Sequence, residues 1–241
     1  MPKWSDTGIL LSLKPYGENS VIASLFTAKN GRHLGLLRKS SKRNGEIERG
    51  NIYNVIWYAR LIEQLGTLDV ELEKNIFANV IDEPIKLLSI SALCEVLENV
   101  LPEREGNKHL WSSTNSLLQI ISLSDNQDQW LKLFVKWELN LLKILGFQLK
   151  LDKCGITGRN DELTYVSPKT GNAISFSKAG KYKNKLFLFP SFLGGRVEIE
   201  SEITSGFQIT SHFLNKWVFE QHDNKLPESR KRLQHLVMSL K

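Results

Sequence analysis

Gly8-Ile9-Leu10-Leu11-Ser12-Leu13 and Val21-Ile22-Ala23-Ser24-Leu25-Phe26-Thr27 are two short apolar runs separated by Pro15-Tyr16-Gly17. Runs of this length between turn formers read as β-strands, because a helix needs a longer periodic segment. Three more follow: Leu34–Leu37, Tyr53–Ala59 and Leu68–Leu72, with Asn30-Gly31, Gly45 and Gly66 between them. Five short strands in about 70 residues, with no helical period among them, predict a small closed barrel. An OB-type barrel has that strand count, and the spacing is equally compatible with an SH3-like barrel.

The period changes beyond residue 80. Pro84 suits the first turn of a helix, and Leu93, Val96, Leu97, Val100 and Leu101 recur at helical spacing until Pro102 stops it. Leu110, Leu117, Leu118 and Ile121 mark a second helix. Trp130, Phe134, Trp137, Leu141 and Leu145 mark a third, with Asp125 or Asn126 as its cap and Gly146 at its end. Residues 150–200 are irregular, with a hairpin expected between Thr164–Val166 and Ala173–Phe176. Phe207, Phe213, Leu214 and Trp217 suggest another helix. After Pro227 a last helix sets Arg230, Lys231 and Arg232 opposite Leu233, Leu236, Val237 and Leu240. The chain therefore reads as α+β: a five-stranded barrel over 1–80, a helical domain over 81–150, a small irregular insert over 151–200 and C-terminal helices over 201–241.

At 241 residues the chain can bury a core without metal or disulfide staples, and Cys94 and Cys154 are its only cysteines. No apolar run reaches the roughly 18 residues of a membrane helix, and Met1–Asp6 lacks a signal-peptide core. A cytoplasmic protein with no membrane partner is the expectation. The net charge of +6 is unevenly spread. Residues 1–80 hold 11 Lys and Arg against 8 Asp and Glu; residues 81–150 hold 7 against 9; residues 151–241 hold 14 against 9. Within the barrel, residues 29–49 carry seven cations against Glu46 and Glu48.

Those cations include Arg32, Arg38, Lys39, Lys42 and Arg43, interleaved with Ser40, Ser41, Asn44 and Gly45, and Arg49 ends the stretch. Such a connection suits a phosphate backbone, contacted through charge and hydroxyl groups without reading bases. The plain alternative is a solvated charged loop. Trp4, Tyr16, Phe26, Tyr53, Trp57 and Tyr58 lie in the same segment; most are expected in the core, with one of the neighbours Trp57 and Tyr58 facing out. Lys132 and Lys136 share one side of the third helix, where a cationic edge beside an apolar groove would take an acidic tail. Phosphate-loop, dinucleotide and nucleophile-elbow motifs are missing, and the five histidines are scattered. An enzyme is not expected. A lone Cys154, with Thr157 three positions on, reads as a free thiol rather than a metal site.

Taken in order, several segments resemble the RecO family of bacterial recombination mediators. They are Gly8-Ile9-Leu10-Leu11-Ser12-Leu13-Lys14-Pro15-Tyr16-Gly17-Glu18, Phe26-Thr27 with Gly31-Arg32, and Leu101-Pro102-Glu103-Arg104-Glu105. Trp137-Glu138-Leu139-Asn140-Leu141-Leu142, Leu145-Gly146-Phe147, Leu151-Asp152-Lys153-Cys154 and Tyr165-Val166-Ser167-Pro168-Lys169-Thr170-Gly171 continue the series. The resemblance implies an N-terminal OB barrel, a helical domain and a zinc-ribbon-like insert, here degenerate. Only Cys154 remains of four cysteines in zinc-binding relatives, with Thr157, Ser167 and Ser175 in or near the other positions, so no zinc or other cofactor is expected.

The resemblance also implies function: binding of single- and double-stranded DNA, strand annealing, and cooperation with RecR to load RecA. The acidic tail of the single-strand-binding protein is an implied partner, and the bacterial nucleoid an implied location. DNA contact is then expected at Arg32 and Arg38, which match family cations, at Lys42 and Arg43 in the same basic loop, and at Lys39 and Arg49, which depart from the family pattern but add to that stretch. Tail contact is expected at Lys136, which matches a family position, and at its neighbour Lys132. A docking adaptor with incidental DNA binding and an OB-fold RNA-binding factor are the alternative functions.

Overall fold

The computed structural model describes residues 1–38, 47–196 and 201–240. Five strands, β1 (Lys3–Pro15), β2 (Ser20–Thr27), β3 (Gly31–Arg38), β4 (Ile52–Tyr58) and β5 (Thr67–Lys74), close a barrel in the order β1-β2-β3-β5-β4. This is the OB arrangement. β1 serves both sides of the closure: Lys3–Ile9 pair with β4 and Gly8–Pro15 pair with β2, with an irregularity between Leu10 and Ser12. The strand thus starts earlier than its apolar run suggests, because Lys3–Thr7 are mostly polar and leave little signal.

The seam between β3 and β5 is parallel, at Leu36 opposite Thr67. A side chain at Gly35 would sit 2.5 Å from Leu68, so the strands approach this closely only because Gly35 has none. Leu10, Leu25, Leu37, Tyr53, Val55, Trp57 and Leu68 fill the barrel. In β4 the alternation holds: Trp57 is buried at 1% exposure and Tyr58 faces out at 39%.

By contacts the chain falls into two compact units, Met1–Leu123 with Pro227–Leu233, and Ser124–Leu226 with Gln234–Lys241. In the first, α1 (Pro84–Val100) and α2 (Lys108–Leu123) join the barrel. α1 covers the outer side of β1 and β2, and Ser24 donates to Glu98 at 2.5 Å. That cover explains why Ile9, Leu10 and Leu11 are all buried although adjacent side chains point to opposite faces of a strand. The Trp111 indole N–H of α2 donates to the Phe26 carbonyl at 3.0 Å.

The second unit contains α3 (Gln127–Ile144), capped by the Asn126 side chain accepting from Gln129 N–H at 3.0 Å. It packs on α5 (Glu202–Phe213), with Phe134 stacked on Phe207 at 5.8 Å. Between them in sequence lies a four-stranded sheet, β6-β8-β7-β9, made of β6 (Lys150–Cys154), β7 (Leu163–Val166), β8 (Asn172–Ser175) and β9 (Phe187–Leu188). β7 and β8 form the expected hairpin. A short α4 (Phe176–Ala179) and a 3-10 turn, Gly180–Lys185, follow β8.

The last helix, α6 (Glu228–Ser239), corrects one expectation. Arg230 is fully buried rather than part of an exposed basic face. Positions 230, 233 and 237 lie on one side of a helix, and Leu233 and Val237 are buried there too. Of the other two cations, Arg232 is exposed and Lys231 half-buried, both 3.7 Å from Glu228.

Candidate nucleic-acid interface

The strand register sorts the six expected DNA contacts along the barrel. Arg38 ends β3 opposite Ser20, and the Tyr16 N–H donates to the Ser20 carbonyl at 3.1 Å. The β1–β2 turn with Tyr16 and the end of β3 with Arg38 therefore share one end of the barrel. The connection 39–46 leaves from that end, and its Lys39, Lys42 and Arg43 lie outside the described residues. Tyr16 is 56% exposed, and Arg38 is exposed with no ion pair among the described residues. Lys14, exposed and opposite Ile22, adds a cation at the same end.

Arg32 sits at the other end of β3, six residues away, or about 20 Å along an extended strand. Its side chain is 14% exposed and its guanidinium is committed within the fold. Nε donates to the Leu101 carbonyl at 2.9 Å, Nη2 approaches Glu103 at 3.3 Å and Nη1 approaches Glu98 at 3.8 Å. Arg104 completes this clamp: its N–H donates to the Arg32 carbonyl at 2.8 Å, and its guanidinium donates to the Ile62 and Gln64 carbonyls. Gly31 makes the close approach feasible, with φ +69° and the Glu105 backbone 2.2 Å from where a Cβ would stand. Arg49 is also tied down, with Nη1 on Glu95 at 2.8 Å. These two arginines thus join the barrel to α1 and the segment after it, Arg32 largely buried and Arg49 about a third exposed.

On α3, Lys132 pairs with Asp128 at 2.6 Å, and Lys136 is exposed. Both ammonium groups approach the Phe192 ring, at 5.9 and 6.0 Å from its centroid. A groove of about 570 Å³ beside Lys132 is lined by Leu131, Ile203, Val237 and Leu240, with Asp128 and Glu202 on its margin. The structure thus brings the two lysines together at an aromatic ring, one of them already paired.

The model of the family described as Recombination protein O, N terminal, matches residues 1–75, and the C-terminal model matches residues 82–225. Curated relatives named DNA repair protein RecO align along nearly the whole chain. The one from Rhodospirillum centenum is 37% identical, covering 95% of this chain and 92% of its own. Those from Hyphomonas neptunium and Wolbachia pipientis are 36% and 34% identical, covering 95% and 99% of this chain. The chain belongs to the RecO family.

Two quoted motifs of this RecO-family chain acquire physical roles. Leu101–Glu105 is the clamp on Arg32. Tyr165–Gly171 ends in the β7–β8 turn, where the Pro168 carbonyl meets His212 Nε2 at 2.8 Å and accepts from Lys216 at 3.2 Å. The positions expected to stand where zinc-binding relatives have cysteines do not all converge on one place. Thr157 and Ser175 line a hollow next to Cys154, but Ser167 belongs to the β7–β8 turn, accepting from Thr170 N–H. Burial pushes the Cys154 thiol up, while hydrogen bonds from Ser175 and the N–H groups of Ile156 and Thr157 outweigh it and hold the thiol below its ordinary value. One sulfur with hydroxyls, and Lys178 lining the same hollow, is a poor donor set for zinc. No group of three His, Cys, Asp or Glu that could hold a metal occurs among the described residues.

Lys14 escaped the sequence reading because its place beside Arg38 follows only from strand register. No helix among the described residues is long and apolar enough to cross a membrane.

Proposed function

We propose that this chain is a DNA repair and homologous recombination mediator that binds single- and double-stranded DNA and anneals complementary strands. The observation that carries the reading is the clustering of Lys14, Tyr16 and Arg38 at the barrel end from which the basic connection 39–46 departs. Phosphates of two strands neutralised at this end repel each other less, which removes the main electrostatic barrier to pairing. Contacts to the backbone leave base edges free, so sequence preference is weak. Tyr16 offers a ring on which a base can stack. None of these steps needs nucleotide hydrolysis, so the chain acts here as a binding protein rather than an enzyme.

The acidic tail of a single-strand-binding protein would set its carboxylates against Lys136 and Lys132 at the Phe192 ring and its apolar residues on Leu131, Ile203, Val237 and Leu240, clear of Asp128 and Glu202. In this reading the chain works with RecR to place RecA on strands covered by that protein, in the bacterial cytoplasm at the nucleoid. Arg32 and Arg49 support the barrel, and the phosphate path runs over Lys14, Arg38, Lys39, Lys42 and Arg43.

The test is annealing of two strands coated with single-strand-binding protein, without ATP, with and without this chain. Acceleration that Arg38→Glu with Lys42→Glu abolishes supports the reading. With about five cations engaged, log affinity for single-stranded DNA falls against log salt with a slope of about −3.5. A salt-independent affinity overturns it. Lys136→Glu separates the two surfaces: it lowers tail binding and leaves affinity for bare DNA unchanged. Loss of tail binding alone in both sets of variants would favour the docking-adaptor reading.

A further inference from the structure

Residues 163–196 contain five lysines and one arginine and no aspartate or glutamate. Four of those lysines, Lys178, Lys181, Lys183 and Lys185, fall within α4 and the 3-10 turn that follows β8. All four are exposed, and none takes part in an ion pair among the described residues. Two aromatic rings stand out among them. Phe176 and Tyr182 are each 56% exposed, although a ring of that size usually buries most of its surface. The ammonium of Lys183 lies 5.4 Å from the Phe176 ring centroid, and that of Lys181 lies 5.4 Å from the Tyr182 ring centroid. Each exposed ring is thus paired with a cation.

We infer that Phe176, Tyr182 and the lysines 178–185 form a second single-stranded DNA site, carried by the Ser124–Leu226 unit and separate from the one at the barrel. A solvated basic face would not need two exposed rings, and an apolar docking patch would not be ringed by uncompensated lysines. Exposed aromatic faces beside ammonium groups are the combination that single-strand binders use, with rings taking bases and cations taking phosphates. Anionic lipid is the rival polyanion. Membrane-surface segments insert a broad apolar helix face, whereas α4 has four residues and the turn is 3-10. The preference for DNA over another polyanion rests on the function proposed above.

A second site deepens the annealing mechanism. A chain with one strand-binding surface must capture two strands on the same patch or on two molecules. A chain with one surface on each compact unit holds two strands by itself.

Native mass spectrometry with the full chain and a ten-nucleotide oligothymidylate reads the number of sites. The parent takes up two oligonucleotides, and Lys181→Glu with Lys183→Glu takes up one. In equilibrium binding the double variant lowers the salt slope by about 1.4. Tyr182→Ala and Phe176→Ala each weaken oligothymidylate binding at this site about tenfold, and leave binding of an abasic strand of the same length unchanged. All four positions are exposed, so the variants should keep the parent's thermal midpoint, which is checked alongside. One oligonucleotide bound by the parent and by the lysine variant overturns this inference and leaves the barrel reading standing. One bound by the parent and none by the variant supports this site and removes the barrel. Uptake of none by the parent overturns both. Binding to vesicles containing phosphatidylserine that is lost in the lysine variant, with oligonucleotide uptake unchanged, assigns the patch to lipid and overturns the inference.

Discussion

Replacing Arg32 with alanine separates a strut from a phosphate ligand. In the parent, Nε donates to the Leu101 carbonyl at 2.9 Å, a charge-assisted hydrogen bond worth about 1.5–3 kcal/mol. The contact with Glu103 at 3.3 Å is half-exposed on the carboxylate side and adds under about 1 kcal/mol. Glu98, 16% exposed, loses a cation at 3.8 Å and keeps the Ser24 hydroxyl, which costs roughly another 1 kcal/mol. The expected loss is about 3 kcal/mol. With a urea slope of about 2–3 kcal/mol/M, the midpoint of the barrel unit falls by about 1–1.5 M. Arg32→Lys retains the charge but not the fork, and should lose about half as much. The assay is urea unfolding followed by fluorescence, paired with single-stranded DNA binding at a temperature where the variant is folded. A midpoint within 0.2 M of the parent together with about tenfold weaker DNA binding would refute the strut and restore Arg32 to the phosphate path.

Three further outcomes follow from the geometry. Gly31→Ala forces a side chain onto the Glu105 backbone at a residue with φ +69°, and should lower thermal stability more than Arg32→Ala does, read by a melting scan. Asn126→Ala removes the cap of α3 and should cost about 1 kcal/mol in urea unfolding, whereas Asn126→Asp should cost little. His33 lies between Trp4 and Trp57 at 4.9 Å from each ring, and burial, with Arg104 nearby, lowers its pKa from 6.5 to about 4. The unfolded chain binds the proton first, so stability is complete above about pH 6.5 and is lost as pH falls toward 4. Between pH 7.5 and 5 the loss is about 2 kcal/mol, and His33→Phe should flatten that part of the profile.

The barrel was legible because its apolar runs are short, β4 alternates from Asn54 to Tyr58, and Gly or Pro punctuates the turns, whereas β3 buries Gly31, His33 and Gly35 and shows no apolar alternation. The helices were legible for the matching reason, with Pro84, Pro102, Asn126 and Gly146 bounding apolar periods. What escaped shares one cause: it depends on partners distant in sequence. Arg32 reads as one more cation of a basic stretch until Glu98, Leu101 and Glu103 arrive from about 70 positions on. Arg230 reads as basic surface until the helix period puts it with Leu233 and Val237. Lys14 needed the β1–β2 register to join Arg38. The first half of β1 was silent because Lys3–Thr7 offers only Trp4 to the barrel core.

The clamp makes the two ends of the barrel mechanically unequal. At the Gly31 end, Asp6 accepts from Lys29 N–H and from the Asn30 N–H and side-chain amide, and the Leu101–Glu105 segment holds β3 and the β4–β5 connection together. At the Arg38 end, β3 stops opposite Ser20 beside the β1–β2 turn, and Leu36 pairs with Thr67 at the start of β5. Insertions, deletions and charge changes at the Arg38 end should leave the core undisturbed, whereas a single added residue within 101–105 would break several bonds at once. Descendants of this chain can therefore vary the length and charge of the nucleic-acid end freely, while the Arg32 end permits almost no change in length.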